Sequence, residues 1–432
     1  MGEDAPASSP RSAGHEADGL AAALLTDVAP SAPASRQRIL FVDDEPQILN
    51  ALENALRRQR RTWDMAFALG GPAALEALDH TAFDVVVSDM QMPGMDGAAL
   101  LTRVKESHPG VARIILSGHA DQDAVVRALP VAHQFLNKPC DGNQLRQAID
   151  RTCGLQQLLR GELVRQLAGR LDRLPSAADA YWALTRALGD PHVSLAGVAA
   201  IVERDPAMSA KVLQLVNSAG FGLPRRVTSI LEAVQYVGTN TIKGLVLTAQ
   251  VFSLANRVSL AGLSVSRLQE HSLLTARVAK RLVGRRDIAE DAFAAGLLHD
   301  IGQLVLALGV PTRYPAILAD ARDHNQPLHA VEYEVLGVSH AEAGAYLLGV
   351  WGLPFAVVEA VAYHHRPSPV AEGDRDLLAI THVAEALVEA GADDAVMDDA
   401  FLASGPWTNQ LAAWRAMAAE VMTDTGTGAS RP

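Results

Sequence analysis

The feature that most constrains the fold is an alternation of short apolar segments with amphipathic ones between residues 37 and 160. Five segments rich in β-branched and aromatic residues are candidate strands: 38–42, 63–68, 84–88, 112–116 and 133–136. The segments 38–42 and 84–88 show no alternation of polar and apolar residues, as expected of parallel strands that are covered on both faces. Because helical patterns fill the gaps, the chain predicts a doubly wound, five-stranded parallel sheet of the α/β class.

Polar side chains stand at the C-terminal ends of four of these candidate strands. They are Asp43 and Asp44 after the first strand, Asp89 after the third, Ser117 after the fourth and Lys138 after the fifth. Neighbouring strands lie about 5 Å apart and their C-terminal ends form one edge, so these groups converge. Two carboxylates about 4 Å apart repel by about 4 kcal/mol at an effective dielectric constant of about 20, and Mg²⁺ removes that repulsion. The set predicts a phosphoryl-transfer site in which Asp89 is the nucleophile, and Mg²⁺ and Lys138 stabilise the transferred phosphoryl group.

Four motifs in this region resemble the receiver domain of two-component response regulators: FVDDEP (41–46), VVSDMQMPGMDG (86–97), ILSG (115–118) and LNKP (136–139). The resemblance covers residues 37–155 and implies phosphotransfer from a sensor histidine kinase to Asp89. It implies Mg²⁺ ligation by Asp44, Asp89 and the carbonyl oxygen of Gln91, with Asp43 close by. It further implies that Ser117 senses the phosphoryl group, that Lys138 contacts it and that Phe135 is an aromatic switch residue.

Residues 161–432 carry helical periodicity and predict an all-α helical bundle. Asp300 interrupts an apolar stripe formed by Phe293, Leu297 and Leu304. An unpaired carboxylate in a core costs several kcal/mol, so Asp300 requires histidine partners, a metal, or both. Histidines occupy similar apolar patterns at His271, His299, His340, His364 and His365. Two interpretations stay open: a site for Mn²⁺, Fe or Zn²⁺, and a set of hydrogen-bonded core histidines.

Segments 215–247, 292–306, 337–354 and 358–367 resemble the HD-related output domain (HDOD), a helical bundle related to the metal-dependent HD phosphohydrolases. The resemblance carries the metal ligands of active HD enzymes onto His271, His299, Asp300, His340, His364 and His365. Three differences weaken the catalytic interpretation. Gln303 stands where the active cyclic-dinucleotide phosphodiesterases have Lys, their Gly-Tyr-Pro loop is missing after His365, and Glu385 replaces their last Asp ligand.

The sequence divides into a disordered leader (1–36), a receiver domain (37–155), a linker helix (156–172), an HD-related domain (173–370) and a helical extension with a disordered end (371–432). The net charge of −12 argues against general binding to nucleic acids or anionic membranes. The most apolar stretch, 292–308, contains His299 and Asp300, which disfavours a membrane span. The two cysteines suit a reducing cytoplasm.

We therefore expect a cytoplasmic response regulator that is phosphorylated on Asp89. The change at Ser117 and Phe135 then alters the packing of the receiver on the output domain, or homodimerisation, and the output domain engages a downstream signalling protein. The alternative is a receiver-gated, metal-dependent phosphohydrolase that acts on a cyclic dinucleotide or a related nucleotide. Both functions require the receiver, and they differ in the role of Asp300 and its histidines. The three differences above favour the first function, in which the output domain does not turn over a substrate.

Overall fold

The computed structural model describes residues 36–118, 128, 131–138, 142–158, 162–171, 174–190, 193–217, 223, 225–247, 252–255, 260, 262–370, 375–390 and 396–424. The predicted leader lies outside these residues except for residue 36, and so do the residues from 425 onward. The predicted helix at 121–129 also lies outside them, except for Ala128.

The N-terminal part contains a five-stranded parallel sheet with the strand order β2–β1–β3–β4–β5. Its strands are β1 (Gln37–Asp43), β2 (Trp63–Leu69), β3 (Val85–Asp89), β4 (Ala112–Gly118) and β5 (Gln134–Lys138). The structure confirms the predicted fold class and places all five strands where the sequence pattern predicts them. The strand order reverses between β1 and β3, which is where doubly wound sheets form their binding crevice.

Helices cover both faces of this sheet. They are α1 (Pro46–Ala55), α2 (Gly70–His80), α3 (Gly97–Ser107) and α4 (Gly142–Leu158), with a short 3-10 helix at Arg57–Arg61. Ile39 and Phe41 of β1 pack with α1 and α4, whereas Leu40 and Val42 pack on the face of α2 and α3. Because both faces are buried, the strand has no polar positions to alternate, which explains its continuous apolar run.

The C-terminal part is mostly helical, as predicted. Its helices are α5 (Glu162–Arg170), α6 (Ala178–Gly189), α7 (Leu195–Val202), α8 (Pro206–Asn217), α9 (Ile230–Leu247), α10 (Val265–Leu282), α11 (Ala289–Leu298), α12 (Ile301–Gly309), α13 (Tyr314–Asp323), α14 (Leu328–Leu336), α15 (His340–Val350), α16 (Phe355–Tyr363), α17 (Arg375–Ala390), α18 (Asp399–Ala403) and α19 (Leu411–Asp424). The structure adds a small parallel pair that the periodicity did not predict, β6 (Leu174–Ala177) with β7 (Phe252–Ala255).

The apolar stripe that contains Asp300 spans two helices. Phe293, Leu297, Asp300 and Leu304 are all buried, as the pattern predicts. However, α11 ends at Leu298 and α12 begins at Ile301, and Asp300 lies at the N-cap position of α12. Its side chain makes no capping hydrogen bond, because the carboxylate turns toward histidines instead.

Over the described residues, one helical stretch (Arg286–Gly309) is long and apolar enough to cross a membrane by length and composition. However, 83% of its most apolar window is buried, as in core helices.

Helix α5 joins the two parts. Gly169 of α5 lies so close to the receiver that a Cβ atom there would fall 1.7 Å from the carbonyl oxygen of Pro109. The buried Arg113 of β4 donates a hydrogen bond to the Gly169 carbonyl oxygen at 2.8 Å, and Leu167 packs against Gly309 of α12. One buried apolar cluster therefore runs from the receiver through α5 into the helical part.

Candidate functional site

Three carboxylates and an ammonium group meet at the C-terminal edge of the sheet. Lys138 Nζ donates a hydrogen bond to Asp43 Oδ2 at 2.8 Å and lies 2.8 Å from Asp89 Oδ1. Single carboxylate oxygens of Asp43, Asp44 and Asp89 all lie within 4.8 Å of one another. The parallel register produces this convergence, since Asp89 is opposite Leu116 on β4 and Lys138 is opposite Gly118.

The charges at this edge do not balance. Burial raises the pKa of Asp89 above its ordinary value, although the hydrogen bond from Lys138 opposes the rise. Burial alone would lower the pKa of Lys138, but its hydrogen bonds to Asp43 and Asp89 raise it, so the ammonium group stays protonated. Three ionised carboxylates and one ammonium group carry a formal charge of −2, which a divalent cation with a preference for oxygen ligands would balance.

The remaining predicted residues of the receiver lie around this group. Ser117 is buried near the end of β4, directly opposite Asn137 of β5. Phe135 is buried in the apolar cluster that continues through α5. Gln91 is exposed two residues after Asp89. These three residues lie on the edge or in the adjacent core, and their roles in sensing, switching and Mg²⁺ ligation stay predictions.

Seven side chains from five segments form a second group, here called the output cluster. They are His271 (α10), His299 and Asp300 (between α11 and α12), His340 (first residue of α15), His364 and His365 (end of α16) and Glu385 (α17). Asp300 Oδ1 lies 3.1 Å from His340 Nε2, and Asp300 Oδ2 lies 3.5 Å from His299 Nε2. Glu385 Oε2 lies 2.5 Å from His299 Nε2 and 3.1 Å from His271 Nε2. The six predicted residues and Glu385 thus come together from segments that are distant in sequence.

Three histidines of the output cluster are held through their outer ring nitrogen. The Nδ1 atoms of His299 and His364 each lie 2.7 Å from a carbonyl oxygen, and that of His340 lies 2.6 Å from Glu332 Oε2. Carbonyl and carboxylate oxygens only accept, so each Nδ1 carries a hydrogen, and a ring that is neutral therefore turns the lone pair of Nε2 toward the cluster. Among the described atoms, the buried His364 Nε2 and Asp300 Oδ1 have no hydrogen-bond partner. Inward lone pairs beside a carboxylate fit a bound cation.

Protonation and cation binding compete in the output cluster. Burial alone would lower the pKa of His299, but the nearby carboxylates of Glu385 and Asp300 raise it to about 9. Burial lowers the pKa of His364 to about 3, and the neighbouring His299 adds to this, so His364 is neutral. Burial would raise the pKa of Glu385, yet His299 and His271 hold it well below its ordinary range. The carboxylates therefore attract positive charge, which either a proton or a metal ion can supply.

The ligand atoms fall into three overlapping sets, and two of these sets share Asp300. One set is His271, His299 and Asp300; another is Asp300, His340, His364 and His365; a third is His299, His364 and Glu385. A carboxylate common to two sets can bridge two cations. Imidazole and carboxylate ligands suit Mn²⁺, Fe and Zn²⁺. The His271 side chain is 26% exposed and connects the cluster to solvent, whereas Asp300 and Glu385 are nearly buried.

One residue of this region escaped the sequence analysis. Glu332 of α14 is fully buried and accepts hydrogen bonds from His340 and Tyr314. A signal was present, because Leu328, Glu332 and Leu336 follow one another at the spacing of a single helix face, where an apolar residue is expected.

The two parts of the chain match two family models. Residues 39–150 match the response regulator receiver domain, and residues 174–367 match the HDOD domain. An uncharacterized protein of Treponema pallidum is 30% identical over 209 residues, which are 47% of this chain and 40% of that protein. The DNA-binding transcriptional regulator NtrC of Escherichia coli is 35% identical over 152 residues, which are 35% of this chain and 32% of that protein. The chain thus matches less than half the length of either relative.

Among solved structures, the MmoQ response regulator of Methylococcus capsulatus is 23% identical, with a TM-score of 0.47 over 57% of this chain and 94% of that one. The two family models together extend from the first strand of the sheet to the histidines at the end of α16. A receiver domain implies phosphorylation by a histidine kinase. The chain is accordingly a two-component response regulator in which a receiver domain precedes an HDOD domain.

Proposed function

We propose that phosphorylation of Asp89 switches this response regulator and that helix α5 carries the change to the HDOD domain. The observation that carries the proposal is the position of Lys138 Nζ, 2.8 Å from both Asp43 and Asp89, at the edge where three carboxylates converge. We further propose that the protein works in the cytoplasm and that its output is the binding of a downstream signalling protein.

Asp89 is the acceptor in this proposal. Its carboxylate oxygen forms a bond to the phosphorus atom as the bond to the histidine nitrogen of the kinase breaks. Asp43, Asp44 and Asp89, with the Gln91 carbonyl oxygen, would hold Mg²⁺, which supplies positive charge for the phosphoryl oxygens. Lys138 neutralises the phosphoryl group, and the Ser117 hydroxyl donates a hydrogen bond to it after transfer.

A continuous set of contacts leads from this edge to the output cluster. Ser117 and Arg113 lie on β4, and the Arg113 guanidinium group bonds the last turn of α5 through the Gly169 carbonyl oxygen. Helix α5 packs on α12, whose first turn follows Asp300. A movement of β4 or β5 on phosphorylation would therefore reach the output cluster through α5 and then through α12.

Acetyl phosphate with Mg²⁺ tests the acceptor. The native protein should gain one phosphoryl group, Asp89→Asn should gain none, and Asp44→Ala should gain far less because a metal ligand is lost. Asp96→Asn is the matched control, since Asp96 caps α3 without joining the site. Undiminished labelling of Asp89→Asn would refute the assignment.

We also propose that the output cluster binds metal, and this supports a second candidate function. The inward Nε2 atoms of His299, His340 and His364 around Asp300 are the supporting observation. A bound metal would supply Lewis acidity toward a phosphate ester, as a receiver-gated phosphohydrolase requires. The purified protein should then contain Mn, Fe or Zn, and Asp300→Ala should lose it.

Metal content and hydrolysis separate the two functions. Steady hydrolysis of a cyclic dinucleotide that is lost in both His299→Ala and Asp300→Ala would favour the enzyme. Metal without turnover would favour binding of a protein partner. Because Glu385 belongs to α17, we propose that the working output domain includes this helix and thus extends beyond residue 370.

A further inference from the structure

Glu332 is a carboxylate in a place where water cannot stabilise it. It belongs to α14 and is 0% exposed. A charged group in such a place strongly destabilises the fold unless hydrogen bonds replace its water. Glu332 Oε2 accepts from the backbone nitrogen of His340 at 2.7 Å and lies 2.6 Å from His340 Nδ1, and Oε1 accepts from the Tyr314 hydroxyl at 2.7 Å. Each oxygen is therefore bonded, and two of the three bonds go to one residue.

Capping of helix α15 does not account for this arrangement. His340 is the first residue of α15, so a carboxylate beside its backbone nitrogen does favour the helix N-terminus. However, that N-terminus already has a complete capping box, in which Ser339 and Glu342 bond each other's backbone nitrogens. The short contact to the imidazole Nδ1 adds nothing to the cap, and it points to a role for the ring.

The contact decides which nitrogen of His340 faces the output cluster. With the hydrogen on Nδ1 bonded to Glu332, Nε2 lies 3.1 Å from Asp300 Oδ1 and 2.9 Å from His365 Nε2. A histidine that ligates a metal commonly donates its other nitrogen to a carboxylate, which fixes the ring and makes it a stronger ligand. The Nδ1 atoms of His299 and His364 bond carbonyl oxygens instead, so among these three histidines only His340 has a carboxylate partner at Nδ1.

We propose that Glu332 is a positioning residue of the output cluster, which holds His340 with Nε2 directed at a metal ion shared with Asp300, and that Tyr314 in turn orients Glu332. This inference rests on the proposed metal binding of the output cluster. Helix α14 thereby becomes part of the metal centre although it contributes none of the seven clustered side chains.

Co²⁺ binding to the full-length protein tests this role. We would compare the native protein with Glu332→Gln, which keeps the shape and removes the charge, and with Tyr314→Phe. Glu334→Gln is the matched control, because Glu334 is exposed on the same helix. Co²⁺ affinity should fall by about 10- to 100-fold in Glu332→Gln, by less in Tyr314→Phe, and not at all in Glu334→Gln. The visible absorption spectrum of the Co²⁺-saturated protein should also change in Glu332→Gln.

The outcomes separate this inference from the proposed metal binding. Native affinity and a native Co²⁺ spectrum in Glu332→Gln would overturn the positioning role, even if the metal-free variant melted at a lower temperature, because a packing role predicts that pattern. If the native protein bound no Co²⁺, Mn²⁺ or Zn²⁺, the metal centre itself would fail. If Glu332→Gln did not fold, Tyr314→Phe would decide the question. A native Co²⁺ affinity in Tyr314→Phe would refute the proposal that Tyr314 orients Glu332 and that Glu332 in turn holds His340.

Discussion

Gly302→Ala should disrupt the output cluster without altering any of its side chains. Gly302 lies in the first turn of α12, where this helix crosses α15. A Cβ atom at this position would fall 1.8 Å from the His340 carbonyl oxygen and 2.6 Å from the Gly344 nitrogen. Both contacts are with backbone atoms, so no side-chain rotation can relieve them, and the two helices must separate.

The size of the effect follows from these distances. The His340 carbonyl oxygen must retreat by roughly 1 Å or more before the contact is tolerable, because interiors are closely packed. The Asp300 Oδ1 to His340 Nε2 distance is 3.1 Å, so the same movement would carry these ligands out of reach of one ion. Overpacking of this kind costs about 1–3 kcal/mol, which exceeds the gain of about 0.5–1 kcal/mol from replacing glycine by alanine in a helix.

Metal titration and thermal denaturation measure the two consequences. Gly302→Ala should bind Mn²⁺ or Co²⁺ at least ten-fold more weakly than the native protein and should melt several degrees lower, at about 2–4 °C per kcal/mol. Gly284→Ala is the control, because a Cβ atom at Gly284 has no neighbour within 4 Å among the described residues. Native metal affinity in Gly302→Ala would refute the inference that the crossing of α12 and α15 sets the spacing of Asp300 and His340.

Two further predictions concern the switch and a buried lysine of the helical part. Ser117→Ala should still accept a phosphoryl group at Asp89, but phosphorylation should no longer change hydrogen exchange in α5 and α12; an unchanged response would exclude Ser117 as the sensor. Lys211→Met should stabilise the protein, because the buried ammonium group is costly and burial lowers the pKa of Lys211 to about 7. The Lys211 Nζ atom lies 4.1 Å from the centroid of the Trp351 ring, and this cation–π contact offsets part of the cost. Between pH 7 and 10.5 the unfolded chain holds a proton that the folded chain has released, so native stability should rise with pH across this range. In urea denaturation the gain from Lys211→Met should therefore be larger near pH 6 than near pH 9 by about 2–3 kcal/mol, and a gain independent of pH would contradict the buried charge.

The sheet and its acidic edge could be predicted from local patterns. Both faces of β1 and β3 are covered, so their residues are apolar in an unbroken run that is visible without any partner strand. All strands of a parallel sheet end on the same edge, so Asp43, Asp89 and Lys138 must meet there once the strands are located. The convergence thus follows from chain topology alone and needs no knowledge of packing detail.

The output cluster was predictable only as a set of residue types. Asp300 was evident because a carboxylate interrupted an apolar stripe, and Glu332 carried the same signal on α14 without being recognised. The pairing of β6 with β7 brings together segments more than 70 residues apart, and a periodic pattern carries no information about such partners.

What the sequence by itself determined is the alternation of strands and helices in the receiver, the acidic edge of its sheet and the residues able to ligate a metal. Each of these depends on the position of a residue within its own element. Only the tertiary structure decided that Glu332 holds the ring of His340, that Gly302 lets α12 approach α15, and that Arg113 bonds the last turn of α5. These contacts join elements whose crossing depends on the packing of the whole core, so no single segment encodes them.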